Sequence, residues 1–334
     1  VPKSSQVDSQ EPLIQIQNLN VEYRTVRGAV RAVENVSFDL YPNEVFGLAG
    51  ESGCGKTTIA NAMTRLLKPP AYITGGKLMF RDIDILQLDA ERLRAFRWDQ
   101  LAIVFQSAMN ALNPVLTIGN QIIDAMQAHQ AISYAEARSH AKRLLRTVGI
   151  DVARVDSYPH QLSGGMRQRA VIAIALALNP ELIIMDEPTT ALDVVVQKQI
   201  LQEIKDLREQ FGFSILFITH DLSLLVEISD RIGIMYAGKF VEAGPAREIF
   251  SDPKHPYTNR LMNSFPTVHG PRRELLGIPG APPDLIDPPA GCRFHPRCEL
   301  AIAGECERIV PPLIRIGGQR DVACHLVKEA EAAS

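Results

Sequence analysis

The sequence predicts an α/β fold of the P-loop type, and three stretches predict it. "LAGESGCGKTTIANAM" places Gly50, Gly55, Lys56 and Thr57 in the spacing G-x-x-x-x-G-K-S/T. "PELIIMDEPTTALD" reads as a buried strand ending on Asp186. "YPHQLSGGMRQRA" sets Ser163, Gly164 and Gly165 at the start of a long apolar helix, where unpaired N–H groups and the helix dipole make an anion site.

In chain order, "VPKSSQVDSQEP" is polar and lacks an apolar core, so residues 1–12 read as a flexible arm and not a secretory signal. "EVFGLAG" is a short apolar strand, and "TTIANAMTRLL" has helical spacing. Between them, the backbone of Gly50, Glu51, Ser52, Gly53, Cys54 and Gly55 can wrap phosphate oxygens. Lys56 supplies a cation to the β and γ oxygens, the Thr57 hydroxyl can ligate Mg²⁺, and Thr58 continues the helix N-terminus. Cys54 reads as a small side chain at a permissive position. From Leu112 to His160 strong strand runs are missing, and "YAEARSHAKRLLRTVGI" has helical spacing with a glycine stop. Asp186 lies where open sheets place their ligands and reads as a Mg²⁺ carboxylate. Glu187, beyond the strand end, is the candidate general base or water-orienting group.

Composition narrows the partners. Of 334 residues, 46% are hydrophobic, and the net charge is -3 with both signs interspersed, so neither a nucleic-acid stripe nor a polybasic anchor is expected. The longest apolar run, Ala170 to Leu178, is far shorter than the roughly 18 residues that cross a bilayer.

Phosphate loop, "LSGGM" and "IIMDEP" in this order resemble the nucleotide-binding subunits of ATP-binding cassette (ABC) transporters, from about Leu13 to Phe250. The resemblance implies an ABC-type core with an antiparallel β subdomain and a helical subdomain inserted at about 107–179. It implies ATP and Mg²⁺, with Ser163, Gly164 and Gly165 contacting the γ-phosphate held by an opposite subunit. By the same resemblance Gln106 touches Mg²⁺ and begins the segment facing a membrane subunit. His220 contacts the γ-phosphate, Asp193 senses the other subunit's site, and Tyr23 stacks on adenine. Met166 departs from the commoner glutamine after Ser-Gly-Gly, with little functional loss expected.

After Phe250 the chain turns rich in proline and glycine, which predicts a loop-rich extension over 251–334. "HPYT" resembles the extension of ATPases from oligopeptide, dipeptide and nickel importers. Four of five cysteines, Cys292, Cys298, Cys306 and Cys324, lie in this tail without a C-x-x-C knuckle. Metal ligation is the expected reading: a 4Fe–4S cluster, which the resemblance implies, or zinc with His295 and His325 nearby, or else free thiols. The expected function is an ATPase at the cytoplasmic face of the cell membrane. Its implied partners are two transmembrane permease subunits, a second ABC ATPase chain and an extracytoplasmic solute-binding protein. Alternative readings are the same machine carrying nickel or oligosaccharides, a soluble ABC ATPase of the ribosome or DNA, and a metal-cluster assembly ATPase. A single cassette without sustained heptads opposes the ribosome or DNA reading.

Overall fold

Burial separates two kinds of strand. The computed structural model describes residues 11–105, 111–190, 192–264 and 277–327. β1 (Ile14–Thr25) and β2 (Gly28–Leu40) alternate buried and more exposed side chains, as in an antiparallel sheet wetted on one face. β3 (Val45–Ala49) is buried at every position and feeds α1 (Lys56–Met63). The helical spacing predicted a longer α1. It stops at the Thr64 cap, after which Arg65 adopts a left-handed φ of 51° that cannot continue a right-handed helix. β4 (Ala71–Phe80) and β5 (Ile83–Asp84) then complete a four-stranded sheet in the order β2-β1-β4-β5, with Ile14 opposite Phe80.

α2 (Ala90–Asp99) is capped by Asp89 and loses helical geometry at Arg97 and Trp98, whose indole donates to the Ile174 carbonyl at 3.0 Å. It leads into β6 (Leu101–Val104). α3 (Ile118–Gln127), α4 (Tyr134–Thr147) and α5 (Gly164–Ala175) follow, capped by Thr117, Ser133 and Ser163. In α4 the cap is reciprocal, since Glu136 bonds back to Ser133. Next come β7 (Leu182–Asp186), α6 (Val194–Phe211), β8 (Ser214–Ile218), α7 (Leu222–Ile228), β9 (Arg231–Tyr236) and β10 (Lys239–Pro245). α8 (Ala246–Ser251) closes the cassette, and the extension carries α9 (Pro256–Asn263) and two short strands, β11 (Ile314–Ile316) and β12 (Arg320–Val322).

The chain divides into two compact units. One comprises Val1–Leu13, Leu40–Glu44 and Gln87–Phe217. In it β6 pairs parallel with β7, Leu101 facing Leu182, β8 flanks β7, and the three helices α3, α4 and α5 pack together. The other comprises Ile14–Asp39, Val45–Leu86 and Ile218–Ser334, and holds the antiparallel sheet, the phosphate loop and the extension. There the strand order is β11-β12-β10-β9-β3, with β3 parallel to β9 and the remaining pairs antiparallel. The predicted α/β class is thus observed, and the extension is tied to the core through β10 and β12. The arm read over 1–12 falls almost wholly outside the described residues.

Candidate functional site: a phosphate loop braced by the extension

The phosphate loop links β3 to α1, and its shape demands glycine at two places. Gly50 has φ 146° and Gly55 φ 109°, and a Cβ there would stand 2.2 Å from the Met235 carbonyl oxygen and 2.4 Å from that of Ala32. Lys56 is buried, its ammonium donating to the carbonyls of Gly50 at 2.8 Å and Glu51 at 3.1 Å and lying 3.5 Å from the Cys54 sulfur. Burial pushes the Cys54 thiol above its ordinary range despite that neighbouring cation. Ser52, Gly53 and Thr57 are exposed, so the loop's mouth and the Thr57 hydroxyl face solvent. Thr58 is buried and shares a 3.1 Å hydrogen bond with the Tyr23 hydroxyl, which puts that tyrosine beside the first turn of α1. His220 lies just past β8 and is exposed.

In the other unit, Asp186 ends the fully buried β7 and is itself buried. Glu187 steps off the strand with a left-handed φ of 48°, and its carboxylate accepts the Thr190 hydroxyl at 3.0 Å. Ser163 is exposed and caps α5, accepting the Met166 N–H at 3.3 Å, with Gly164 and Gly165 in the first turn. The backbone N–H groups of that turn therefore begin a helix whose dipole favours an anion. Asp193 is exposed too and caps α6 by accepting the N–H groups of Val195 and Val196 at 3.1 and 3.0 Å. Gln106 lies outside the described residues.

Comparison with known proteins decides the family. The ABC transporter family matches residues 33–190, and the family described as oligopeptide/dipeptide transporter, C-terminal region, matches 241–306. A dipeptide transport ATP-binding protein of Bacillus subtilis is 43% identical over 304 residues, 90% of each chain. An oligopeptide transport ATP-binding protein of the same organism is 42% identical over 91% of this chain and 86% of its own. The chain belongs to the ABC transporter ATPases, in the branch with the oligopeptide/dipeptide C-terminal region. Among solved structures, a dimeric bacterial ABC transporter cassette matches with TM-score 0.63 at 31% identity, covering 70% of this chain and 99% of that one. A dimeric cassette in a post-hydrolysis state with ADP and Pi gives TM-score 0.62 at the same identity and coverage.

In this ABC ATPase the extension meets the phosphate loop through an aromatic cluster and an arginine. In "HPYT", His255 caps α9 by accepting the Tyr257 N–H at 3.0 Å, and Pro256 takes the first helical position. That turn aims Tyr257 into an aromatic cluster with Tyr236 and Phe294, ring centroids 4.6 to 5.3 Å apart. The Tyr257 hydroxyl emerges at the loop and accepts the Glu51 N–H at 2.9 Å. The Glu51 carboxylate takes two hydrogen bonds from Arg297, at 2.7 and 3.0 Å.

The four tail cysteines share one loop-rich lobe as free thiols. The Cys306 sulfur accepts the Ile302 N–H at 3.3 Å. Burial raises the thiols of Cys292 and Cys298, and that of Cys324 to about 11. Among the described residues no three His, Cys, Asp or Glu side chains are placed to hold a metal ion. The histidines read as zinc ligands are otherwise engaged. His325 contacts the Ile309 carbonyl at 2.9 Å with one ring nitrogen and Glu305 at 3.2 Å with the other, and His295 Nδ1 lies 2.9 Å from the Cys292 carbonyl. Four thiols correspond in number and type to a four-thiolate iron–sulfur cluster and to a Cys₄ zinc site alike, and as placed among the described residues they form neither.

Sequence reasoning missed Arg297, Tyr236 and the reach of Tyr257. A local signal existed only for the last, since Pro256 after a capping histidine fixes where that helix starts.

Proposed function

We propose that this ATPase powers the import of short peptides at the cytoplasmic face of the cell membrane. It would do so by driving two transmembrane permease subunits, beside a second ATPase chain of different sequence and an extracytoplasmic solute-binding protein. The observation that carries the reading is the match of residues 241–306 to the oligopeptide/dipeptide transporter C-terminal region, on a chain with a complete phosphate loop. Among the described residues no helix is long and apolar enough to cross a membrane, so transport needs membrane partners.

The residues divide the work. Backbone N–H groups of 50–58 bind the phosphates, Lys56 turns from its loop carbonyls to their β and γ oxygens, and Tyr23 flanks the base. Bound Mg²⁺ would neutralise phosphate charge, and by resemblance to the family Thr57, Asp186 and Gln106 would supply its donors. Glu187 takes a proton from, or orients, the attacking water, and His220 donates to the γ-phosphate. Ser163, Gly164 and Gly165 close the site of an opposite ATPase chain, and Asp193 reports closure. The four tail cysteines would hold a 4Fe–4S cluster, with a Cys₄ zinc site as the alternative. Support comes from the four free thiols gathered in the extension, a donor set of the type such clusters use.

The test is a tagged Glu187→Gln pull-down from solubilised membranes with ATP, read by mass spectrometry, followed by di- and oligopeptide uptake in reconstituted vesicles. Two multi-span proteins and ATP-dependent peptide uptake are expected. Recovery of ribosomes or DNA complexes, or uptake of nickel or oligosaccharides alone, would overturn the peptide reading. Anaerobic purification with iron and sulfide analysis tests the cluster, and an iron-free chain would remove it.

A further inference from the structure

Arg297 makes six side-chain hydrogen bonds. Its Nη1 and Nη2 hold the two Glu51 carboxylate oxygens. Nε donates to the Pro279 carbonyl at 2.7 Å, Nη2 reaches those of Ile278 and Gly280 at 3.4 Å, and Nη1 also reaches the Tyr236 hydroxyl at 3.3 Å. The guanidinium lies 5.7 Å from the centre of the Tyr236 ring, and the side chain is only 6% exposed. All five N–H donors are thus used, which is the condition under which a buried ion pair is tolerated. The planar fork fits a carboxylate in one orientation, so the contact fixes direction as well as distance.

The partner of that fork belongs to the phosphate loop. Glu51 follows Gly50, and its own N–H is held by Tyr257. Pro282, Pro283 and Leu285 face residues 51–54 across a cavity of about 30 Å³. The loop is therefore buttressed on one side by residues that all come from the extension or from β9. A loop with positive φ at Gly50, Gly53 and Gly55 has many conformations to lose on binding phosphate. A brace that removes them beforehand raises affinity without touching the ligand.

We infer that Arg297, with Tyr257, is a positioning residue that presets the phosphate loop for ATP, so that the cysteine-bearing lobe sets the nucleotide affinity of the cassette. The inference rests on ATP binding at this loop and is independent of the transported solute. Arg297 directly precedes Cys298 in the chain, so the order of the lobe and the direction of the fork are joined by a single peptide bond.

The experiment uses the full chain and measures equilibrium binding of a fluorescent ATP analogue in EDTA, then KM and kcat with Mg²⁺. Arg297→Ala and Glu51→Gln should each weaken binding by about tenfold, and the double variant should be no worse than either single one. KM should rise by the same factor while kcat falls less than about threefold, with Arg297→Lys intermediate. Arg260→Ala, which removes the Arg260–Glu299 ion pair of the same lobe, should bind like wild type. Folded Arg297→Ala and Glu51→Gln chains with wild-type affinity would overturn the inference. If Arg297→Ala does not fold, Glu51→Gln decides alone, because it leaves Arg297's carbonyl contacts in place. A wild-type chain that bound no nucleotide would instead refute the ATPase reading and this inference with it.

Discussion

Replacing Glu242 with alanine should release the extension from the core while leaving the other unit's helices intact. Glu242 sits in the middle of β10, fully buried. One carboxylate oxygen accepts the Lys254 N–H at 3.0 Å and two N–H groups of Arg320; the other accepts the His255 N–H at 3.0 Å. The substitution strands two backbone donors at the entry to α9 and a guanidinium whose side chain is 6% exposed. Charged hydrogen bonds contribute about 1.5–3 kcal/mol each, but four sharing one carboxylate do not add. The cost of breaking a buried pair by removing one partner is the better guide, so we expect about 4 kcal/mol. Read by hydrogen exchange, that is roughly a thousandfold faster exchange over residues 253–264 and 320–327, with α4 unaffected. Glu242→Leu combined with Arg320→Met should recover most of the protection, because no charge is then left buried. Exchange in those segments within about threefold of wild type for Glu242→Ala would refute the reasoning.

Glu187→Gln should keep ATP binding and lower phosphate release by at least about a hundredfold, and a wild-type rate would remove Glu187 from its role. Gly55→Ala forces a side chain into φ 109° and to 2.4 Å from the Ala32 carbonyl oxygen, so ATP binding should vanish in calorimetry; retained binding would show that the loop shifts freely. Burial lowers the His255 pKa from about 6.5 to about 3. Below pH 6.5 the unfolded chain takes up a proton that the folded one refuses, so stability is full above that pH and falls by about 1.4 kcal/mol per unit down to about pH 3. His255→Asn keeps a capping acceptor for Tyr257 and should flatten this acid sensitivity in exchange measured over 255–264 from pH 7.5 to 5.5; an unchanged slope would assign it elsewhere.

The parts of the site legible in sequence are those whose physics is local. Gly50, Gly55 and Lys56 announce themselves because a strand, a left-handed turn and a helix N-terminus must follow within a few residues. Asp186 and Ser163 are legible for the same reason, one being the last residue of a strand and the other the cap of a helix. The brace was not legible, because Arg297 and Glu51 lie 246 positions apart and neither belongs to a pattern with a period. An arginine beside a cysteine in a proline-rich tail looks like surface until the aromatic cluster of Tyr236, Tyr257 and Phe294 fixes where the tail runs. The cysteines show the opposite limit. Their number was evident, but spacing alone carries no angle, and among the described residues no three ligands are placed to hold a metal ion.

Three arginines attach the extension, and their placement argues against a merely decorative tail. Arg293 bonds Glu34 on β2 and the Ala237 carbonyl, Arg297 bonds Glu51 in the phosphate loop, and Arg320 bonds Glu242 on β10. Their side chains are 7%, 6% and 6% exposed, where an unsatisfied charge would be prohibitive and surface pairing would not require arginine. Glu34 shows the consequence: burial pushes its carboxyl up, and Lys239 and Arg293 more than reverse that, leaving it below its ordinary value. Two of these arginines are chain neighbours of cysteines, Cys292 with Arg293 and Cys298 with Arg297. A guanidinium locked at its far end fixes the backbone at its near end, and the next sulfur with it. On the inference drawn above, a change in the order of the lobe would reach the phosphate loop through the Arg297–Glu51 contact.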